Sequence, residues 1–232
     1  MTDRRDALLH RIHRHYPTVT RTLRFGGVTI EFTRIADADR VLDDVAAEAD
    51  RRSRQRDVKT DDPLRMPYWA ELWESSTAIA EYLARGPSLH NRRVLDLGCG
   101  MGLAGAAAAA QGAAVLLADI EPLALLLARL NTLPWHDRVR IRRLNWQIDR
   151  LPEKFDLILG ADILYERPQW EYLDAFWTHH LAPGGQILLG EPGRQTGDAF
   201  GPWIAQRRWS AEQFAHPMPG SQKSIRMFRL TI

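Results

Sequence analysis

The stretch Val94-Leu-Asp-Leu-Gly-Cys-Gly-Met-Gly102 is the part of this sequence that decides the fold. It begins as an apolar run typical of a buried strand, and three glycines follow at alternate positions. From Leu103 onward the alanine-rich sequence predicts a helix. Glycines between a strand and a helix allow a sharp turn and leave backbone N–H groups open to a ligand. The stretch therefore predicts a ligand-binding turn in an α/β fold.

A second acid strengthens this prediction. Residues 113–118 form another apolar run, and Asp119 ends it, 23 residues after Asp96. An acid at the tip of the second strand is where a Rossmann-like sheet holds ribose hydroxyls. The two acids and the glycine turn together predict a site for a nucleoside-containing cofactor.

The charge of the turn indicates which cofactor that is. No lysine follows the glycines, so the turn is not a P-loop, and the GxGxG spacing also differs from the dinucleotide fingerprint. Asp96 stands two residues before the first glycine, where a carboxylate repels a pyrophosphate and attracts an ammonium or sulfonium cation. We therefore expect S-adenosylmethionine rather than a nicotinamide cofactor.

The composition is that of an ordinary globular protein, since 45% of the 232 residues are hydrophobic and 26% are charged. The formal net charge of +2 gives no strong field to attract nucleic acid. No apolar run is long enough to span a bilayer, and the N-terminus lacks the apolar core of a secretory signal. Cys99 is the single cysteine, which rules out internal disulfides. We expect a cytoplasmic protein with neither nucleic acid nor membrane as its partner.

From Pro67 to the C-terminus, helical patterns alternate with apolar strands. This alternation predicts a mostly parallel, doubly wound Rossmann-like sheet with helices on both faces. The sequence before Pro67 predicts a helix, a β-hairpin turning at Gly26-Gly27, a helix capped by Asp37 and a charged loop from Asp50 to Asp62. We divide the chain into an N-terminal extension, residues 1–66, and a cofactor-binding domain, residues 67–232.

Two further strand ends carry residues suited to a binding site. Ligands in open α/β sheets lie beyond the carboxyl ends of the strands, near the point where strand order reverses. Asn145 can donate to and accept from an adenine edge, and the Trp146 ring can cover its face. The segment Ala161-Asp-Ile-Leu-Tyr165 follows the next strand, and the loop Glu191-Pro-Gly-Arg194 is a candidate for contact with a substrate.

These segments in combination resemble family 16 of the class I, seven-β-strand methyltransferases, whose characterised members are chiefly protein lysine methyltransferases. The resemblance covers roughly residues 67–193. It rests on Pro67-Tyr-Trp-Ala-Glu-Leu-Trp-Glu-Ser-Ser76, the glycine turn, Asp119, Asn145-Trp146 and Gly160-Ala-Asp-Ile-Leu-Tyr165. The sequence departs from the family at Asn145, where many relatives carry an acid, and at Glu74-Ser75-Ser76, where relatives often have proline, serine and glycine.

The resemblance also implies roles for single residues. The family's acid-x-x-aromatic motif falls on Asp162 and Tyr165, which we predict to be catalytic. Together with neighbours on the turn and strand ends, the predicted cofactor contacts are Trp73, Asp96, Gly98, Cys99, Gly100, Gly102, Asp119, Ile120, Asn145, Trp146 and Ala161. No metal is expected, because methyl transfer from a sulfonium is an in-line displacement that depends mainly on holding the nucleophile close and aligned.

We predict a protein-lysine N-methyltransferase and leave three alternatives open. Methylation of a small-molecule amine would be favoured by a narrow, closed pocket over Asp162, whereas an open groove would favour a protein. Nucleic-acid methylation ranks low, because the amino-methylating motif of proline, proline and an aromatic residue is absent after Asp162. A cofactor-binding protein without turnover is the non-enzymatic alternative.

Overall fold

The predicted alternation of strands and helices is realised in a computed structural model that describes residues 2–55 and 66–232. Within these residues the α-helices are α1 (Thr2–His13), α2 (Ala38–Gln55), α3 (Glu74–Arg85), α4 (Leu103–Ala110), α5 (Pro122–Asn131), α6 (Trp170–His180) and α7 (Gln195–Ile204). The strands are β1 (Thr18–Phe25), β2 (Val28–Ile35), β3 (Arg93–Leu97), β4 (Ala114–Asp119), β5 (Val139–Arg143), β6 (Phe155–Ala161), β7 (Leu181–Glu191), β8 (Ser210–Pro217) and β9 (Ser224–Thr231).

Strands β3 to β9 form one sheet in the order β5-β4-β3-β6-β7-β9-β8. The neighbours from β5 to β7 pair in parallel, and β9 runs antiparallel to both β7 and β8. The chain winds outward from β3 in one direction through β4 and β5, and in the other through β6 and β7. Strand order therefore reverses beside β3, where ligands bind in such sheets. The predicted fold class is confirmed.

Both faces of the sheet are buried, as a parallel sheet requires. Along β6, Leu157 and Leu159 pack into the cluster that contains Ile79 of α3, whereas Ile158 packs with Trp177 of α6 on the opposite face. This alternation follows from the two-residue period of a strand. The helices thus fix the strands rigidly, and the loops at the strands' carboxyl ends are left to form a site.

The N-terminal hairpin packs against helices of the main sheet rather than standing apart. Phe32 of β2 is buried in a cluster with Leu127 of α5. The buried Asn131 side chain adds polar links, because its Oδ1 accepts from Thr33 N at 2.7 Å and its Nδ2 donates to Thr33 O and Met101 O, each at 2.9 Å. One side chain therefore joins β2, α5 and the glycine turn.

Two local predictions need correction. The charged stretch from Asp50 was predicted to be a loop, but α2 continues to Gln55, and the rest of that stretch lies outside the described residues. Glu48 and Arg51 pair across one turn at 2.7 Å, which suits a solvated helix. The predicted Asp37 cap is present, with its Oδ1 accepting from Arg40 N at 3.2 Å.

The second correction concerns Pro183-Gly184-Gly185, a sequence that by itself predicts a break between the end of α6 and a short strand that begins at Gln186. These residues lie within β7, where the pairing with β6 jumps from Phe155 opposite Leu181 to Leu157 opposite Gln186. Gly184, with a φ of +70°, adopts a conformation that suits such an irregularity.

Candidate functional site

The glycine turn lies at the carboxyl end of β3. Gly98, Gly100 and Gly102 have φ angles of +66°, +50° and +83°, which side chains other than glycine rarely adopt. A Cβ at Gly98 would lie 2.9 Å from Cγ2 of Ile163, and one at Gly102 would lie 3.0 Å from Cβ of Ala128. The turn therefore needs glycine both for its backbone angles and for space.

Asp119, at the end of β4, binds the turn directly. Its Oδ2 accepts a hydrogen bond from Gly100 N at 2.8 Å, and its Oδ1 accepts one from Glu121 N at 2.9 Å. Burial raises the pKa of Asp119, and the two backbone donors oppose that rise. The carboxylate is thus held in a fixed orientation next to the exposed backbone of the glycines.

A cavity of about 510 Å³ opens over this turn. This volume lies within the range of about 300–1,000 Å³ that is usual for small-molecule sites. Ten of the predicted cofactor residues line it, namely Trp73, Gly98, Cys99, Gly100, Gly102, Asp119, Ile120, Asn145, Trp146 and Ala161. The predicted catalytic residues Asp162 and Tyr165 line it as well. The structure therefore brings nearly all the predicted residues together.

Asp96 is the exception. Its side chain is buried and does not line the cavity; its Oδ2 accepts a hydrogen bond from Gly105 N at 2.8 Å in the first turn of α4. Its Oδ1 is buried without a hydrogen-bond partner, and burial raises the pKa of Asp96 to about 7. In place of the predicted direct contact with a cofactor cation, Asp96 holds the start of α4.

Cys99 lines the cavity but is poorly suited to chemistry. Burial raises the pKa of the Cys99 thiol well above its usual value, so the thiol is protonated at neutral pH. Its Sγ lies 3.6 Å from the carbonyl oxygen of Gly100. The residue therefore acts as a small side chain within the turn.

The loop after β5 carries Asn145 and Trp146 to the cavity, and a residue that we did not predict holds it there. Trp146 Nε1 donates to Oε1 of Gln169 at 3.1 Å, and Gln147 Nε2 donates to the same oxygen at 2.8 Å. The side-chain oxygen of Asn145 accepts from Gln147 N at 3.0 Å. That oxygen, which we expected at an adenine edge, is therefore engaged by the loop's own backbone.

Asp162 follows β6 in a left-handed conformation, with a φ of +53°. Its side chain is only 4% exposed, and Arg194 covers both carboxylate oxygens. Arg194 Nη2 donates to Oδ2 at 2.7 Å, and its Nε donates to Oδ1 at 3.2 Å. Burial raises the pKa of Asp162, while the bonds from Arg194 limit the rise.

Three aromatic rings line the same cavities as this carboxylate. The Tyr68 ring lies 5.2 Å from that of Tyr165 and 6.2 Å from that of Trp73, in edge-on arrangements. Trp73 Nε1 donates to the carbonyl oxygen of Tyr68 at 2.7 Å. Burial raises the pKa of Tyr165 to about 12, so its phenol stays protonated at neutral pH. The three rings therefore give the space beside Asp162 an aromatic lining, which it shares with Glu166.

A second cavity, of about 430 Å³, is also lined by these three rings. Its lining consists of Tyr68, Trp73, Asp162, Tyr165, Glu166, Arg194, Gln195 and Thr196. The first five of these residues also line the first cavity. Asp162 and Tyr165 therefore lie at the boundary between two adjoining spaces.

The first cavity fits an adenosyl sulfonium. The bare backbone of Gly100 and the fixed carboxylate of Asp119 suit a ribose, and the rings of Trp73 and Trp146 suit a cation and a base. Across residues 2–55 and 66–232, no cluster of three or more His, Cys, Asp or Glu side chains could hold a metal ion. Nor is any helix in that part of the chain long and apolar enough to cross a membrane.

Sequence reasoning missed Tyr68 and Gln169 and gave Arg194 no defined role. Tyr68 belongs to the Pro67–Ser76 segment on which the family resemblance rests. The sequence therefore indicated the segment but gave Tyr68 itself no role. The only sequence signal for Arg194 was its place directly after a buried strand. Gln169 gave no signal, because it meets Trp146 from 23 residues away in sequence.

Comparison with known proteins finds lysine methyltransferases. A family model described as lysine methyltransferase matches residues 60–200. The electron transfer flavoprotein beta subunit lysine methyltransferase of Mus musculus is 33% identical over 173 residues, which cover 70% of this chain and 64% of that protein. The EEF1A lysine methyltransferase 3 of Mus musculus is 33% identical over 126 residues, covering 52% of this chain and 54% of that protein. The chain thus spans between about half and two thirds of the length of these curated relatives.

A solved structure shows the same fold. The N-methyltransferase NodS from Bradyrhizobium japonicum WM9, crystallised with S-adenosyl-L-homocysteine, superposes with a TM-score of 0.56 at 20% identity. The match covers 77% of this chain and 96% of that one. At this level of identity the likeness extends to the arrangement of strands and helices and no further.

Proposed function

The chain belongs to the lysine methyltransferase family, and from this premise we propose that it transfers a methyl group from S-adenosylmethionine to a lysine side chain of a partner protein. The observation that carries the proposal is the junction of the two cavities. A cofactor in the first cavity and an amine in the second would meet beside Asp162 and Tyr165.

The first cavity would hold the cofactor through its adenosine part. Asp119 is placed to accept hydrogen bonds from ribose hydroxyls, and the backbone at Gly98 and Gly100 allows close approach. Trp146, held by Gln169, offers a flat face to the base. When bound, S-adenosylmethionine supplies an electrophilic methyl group on a sulfonium cation.

The residues at the junction would prepare the acceptor. An ordinary lysine has a pKa near about 10.4 and must lose a proton before it can act as a nucleophile. The rings of Tyr68, Trp73 and Tyr165 present aromatic surface to the amine, which favours its neutral form. The Asp162 carboxylate can accept a hydrogen bond from that amine and so fix the direction of its lone pair.

The shape of the second cavity favours a protein over a small molecule as the acceptor. Tyr68 is 44% exposed, and the Arg194 side chain is 41% exposed, so the cavity is open to solvent at these residues. A long lysine side chain can reach Asp162 through such an opening while its backbone stays outside. The protein relatives that the chain resembles are named for lysine methylation, which supports the same choice.

The proposal can be tested by supplying the protein with a methyl-labelled donor. We would incubate it with S-adenosylmethionine and a protein extract of the source organism, and separately with the low-mass and nucleic-acid fractions. We expect label in protein, recovered as methylated lysine after hydrolysis. Asp162→Asn should lower the rate by about 100-fold or more, as loss of a positioned acid–base group does.

The substitution at position 162 has to be compatible with the left-handed backbone conformation of Asp162. Asn adopts a left-handed conformation more readily than Ala, so Asp162→Asn changes the charge with little strain at a φ of +53°. Asp43→Asn, at an exposed position on α2, is the matched control and should retain full activity. Label confined to the low-mass or nucleic-acid fraction would overturn the protein-lysine assignment, and label in none of the fractions would overturn the activity itself.

A further inference from the structure

The backbone of Arg194 is held in place by the buried side chain of Glu191. Glu191, at the end of β7, is 1% exposed, and its Oε2 accepts hydrogen bonds from Gly193 N at 3.0 Å and Arg194 N at 2.9 Å. Arg226 Nε lies 3.1 Å from the other oxygen of Glu191. A Cβ at Gly197 would collide with this carboxylate, so the glycine makes room for it. This buried arrangement sets the backbone from which Arg194 reaches the cavity.

The guanidinium of Arg194 is oriented by two further contacts. It donates to both oxygens of Asp162, and its Cζ lies 5.2 Å from the centroid of the Trp73 ring. A planar guanidinium suits both contacts, because it can bond a carboxylate with two donors and also lie over an aromatic face. The second cavity exists with the guanidinium in this position, so Arg194 forms part of its wall.

We propose that Arg194 is a positioning residue for the acceptor, whose guanidinium keeps the Asp162 carboxylate ionised and places a fixed positive charge beside the reacting nitrogen. The inference rests on the proposed function and adds a role that the family motif does not contain. A carboxylate that already accepts from Arg194 orients the amine with its remaining lone pairs. The adjacent cation disfavours a second positive charge, so the amine is neutral when it reaches the methyl donor.

The surrounding charges make Arg194 important for Asp162. The other ionisable groups that face this pair are Tyr68 before α3, Asp119 at the end of β4, Tyr165 and Glu166 after β6, and Glu191 at the end of β7. None of these groups is a cation, so none of them can take the place of Arg194 beside Asp162. In the described part of the chain, Arg194 is the cation that forms an ion pair with Asp162. Without Arg194, the Asp162 carboxylate would be buried with no ion-pair partner among the described residues.

Replacing Arg194 with a neutral residue should therefore raise two pKa values. The pKa of Asp162 rises, because its bonded cation is gone, and the pKa of the acceptor amine also rises, because the neighbouring positive charge is gone. Both effects move the pH range in which transfer occurs to higher values. A residue that only stabilised the fold would lower activity without moving this range.

The test is the pH dependence of kcat/KM, measured with the whole protein and the unmethylated form of the substrate protein that the labelling experiment identifies. The measurements run from about pH 6 to about pH 10, because a lysine amine titrates near the upper end of this range. In Arg194→Gln we expect the rising limb of the kcat/KM profile to shift to higher pH by about one unit or more. Activity should then fall about tenfold at neutral pH and recover at high pH. Arg194→Lys keeps the charge and should keep the limb near its original position. Arg92→Gln is the matched control, because Arg92 is exposed and lies just before β3, whereas the candidate site lies at the carboxyl end of that strand.

A second measurement does not depend on catalysis. The ¹³Cγ chemical shift of Asp162, followed by NMR against pH without any substrate, should show a higher pKa in Arg194→Gln than in the native protein. An unchanged Asp162 titration together with an unmoved pH–rate profile would overturn the role of Arg194. If the native protein transfers no methyl group at all, the proposed function fails instead, and a raised Asp162 pKa would still support the ionisation half of the inference.

Discussion

Among single residues, Asp96 shows most clearly how burial changes the role of a charge. Its sequence position, two residues before the first glycine, suggested contact with a cation, but its carboxylate is buried and accepts a hydrogen bond from Gly105 N of α4. The native carboxyl has a pKa of about 7, whereas an unfolded Asp titrates near about 3.9. Between these two values the folded state binds more protons than the unfolded state. Asp96 therefore lowers the stability of the protein as the pH rises from about 4 to about 7.

Asp96→Asn should remove this loss. An amide keeps an oxygen for Gly105 N and carries no charge, so the variant's stability should not decline over the same range. We expect the gain in unfolding free energy to be larger at pH 8 than at pH 5 by about 2–3 kcal/mol, at about 1.4 kcal/mol per pKa unit. Urea unfolding of both proteins at the two pH values measures it. An equal gain at both values would mean that the native carboxylate is not destabilised by burial.

At the scale of an element, the loop after β5 depends on a partner from a distant part of the chain. Trp146 and Gln147 both donate to Oε1 of Gln169, which precedes α6. The loop's own sequence indicates an aromatic residue near the cofactor, but it does not show what fixes the ring. The start of α6 therefore helps to shape the cofactor cavity.

Gln169→Leu should release Trp146 and weaken cofactor binding. Loss of the shared acceptor leaves two part-buried N–H donors unpaired, and we expect the Kd for S-adenosylmethionine to rise about tenfold, equivalent to about 1.4 kcal/mol. Isothermal titration calorimetry provides the measurement, with Gln222→Leu in the β8–β9 turn as the control. Equal affinity in both variants would show that the ring needs no support from Gln169.

At the scale of the whole molecule, Asn131 connects parts that the sequence presents as separate. Its amide joins Thr33 of the hairpin to Met101 of the glycine turn, across 98 and 30 residues of sequence. Phe32, beside Thr33, lines the first cavity. The hairpin therefore contributes both to the core and to the wall of the candidate site.

Asn131→Ala should destabilise the protein and disturb the turn together. The change removes the hydrogen-bond partner of Thr33 N, Thr33 O and Met101 O. We expect a loss of about 3 kcal/mol or more in unfolding free energy, since each such buried group costs about 1–3 kcal/mol. Denaturant unfolding measures the loss, and Gln186→Ala at an exposed position on β7 is the comparison. A loss no greater than that of Gln186→Ala would show that the hairpin is held independently of this amide.

The sequence predicted local features well and long-range pairings poorly, for a physical reason. The strands, helices and glycine turn leave local patterns, because strand and helix periods and turn angles are set by neighbouring residues. The pairs Asp162–Arg194 and Trp146–Gln169 are set by packing, and they lie 32 and 23 residues apart. The burial of Asp96 was missed for the same reason. The cytoplasmic location and the division at residue 66 stay predictions.

The junction between the two cavities has a consequence for turnover. The two spaces adjoin at Asp162 and Tyr165 without coinciding. In the proposed reaction, donor and acceptor would therefore be resident together, and the methyl group would pass directly between them. The rate law is then that of a ternary complex, with no methylated enzyme as an intermediate.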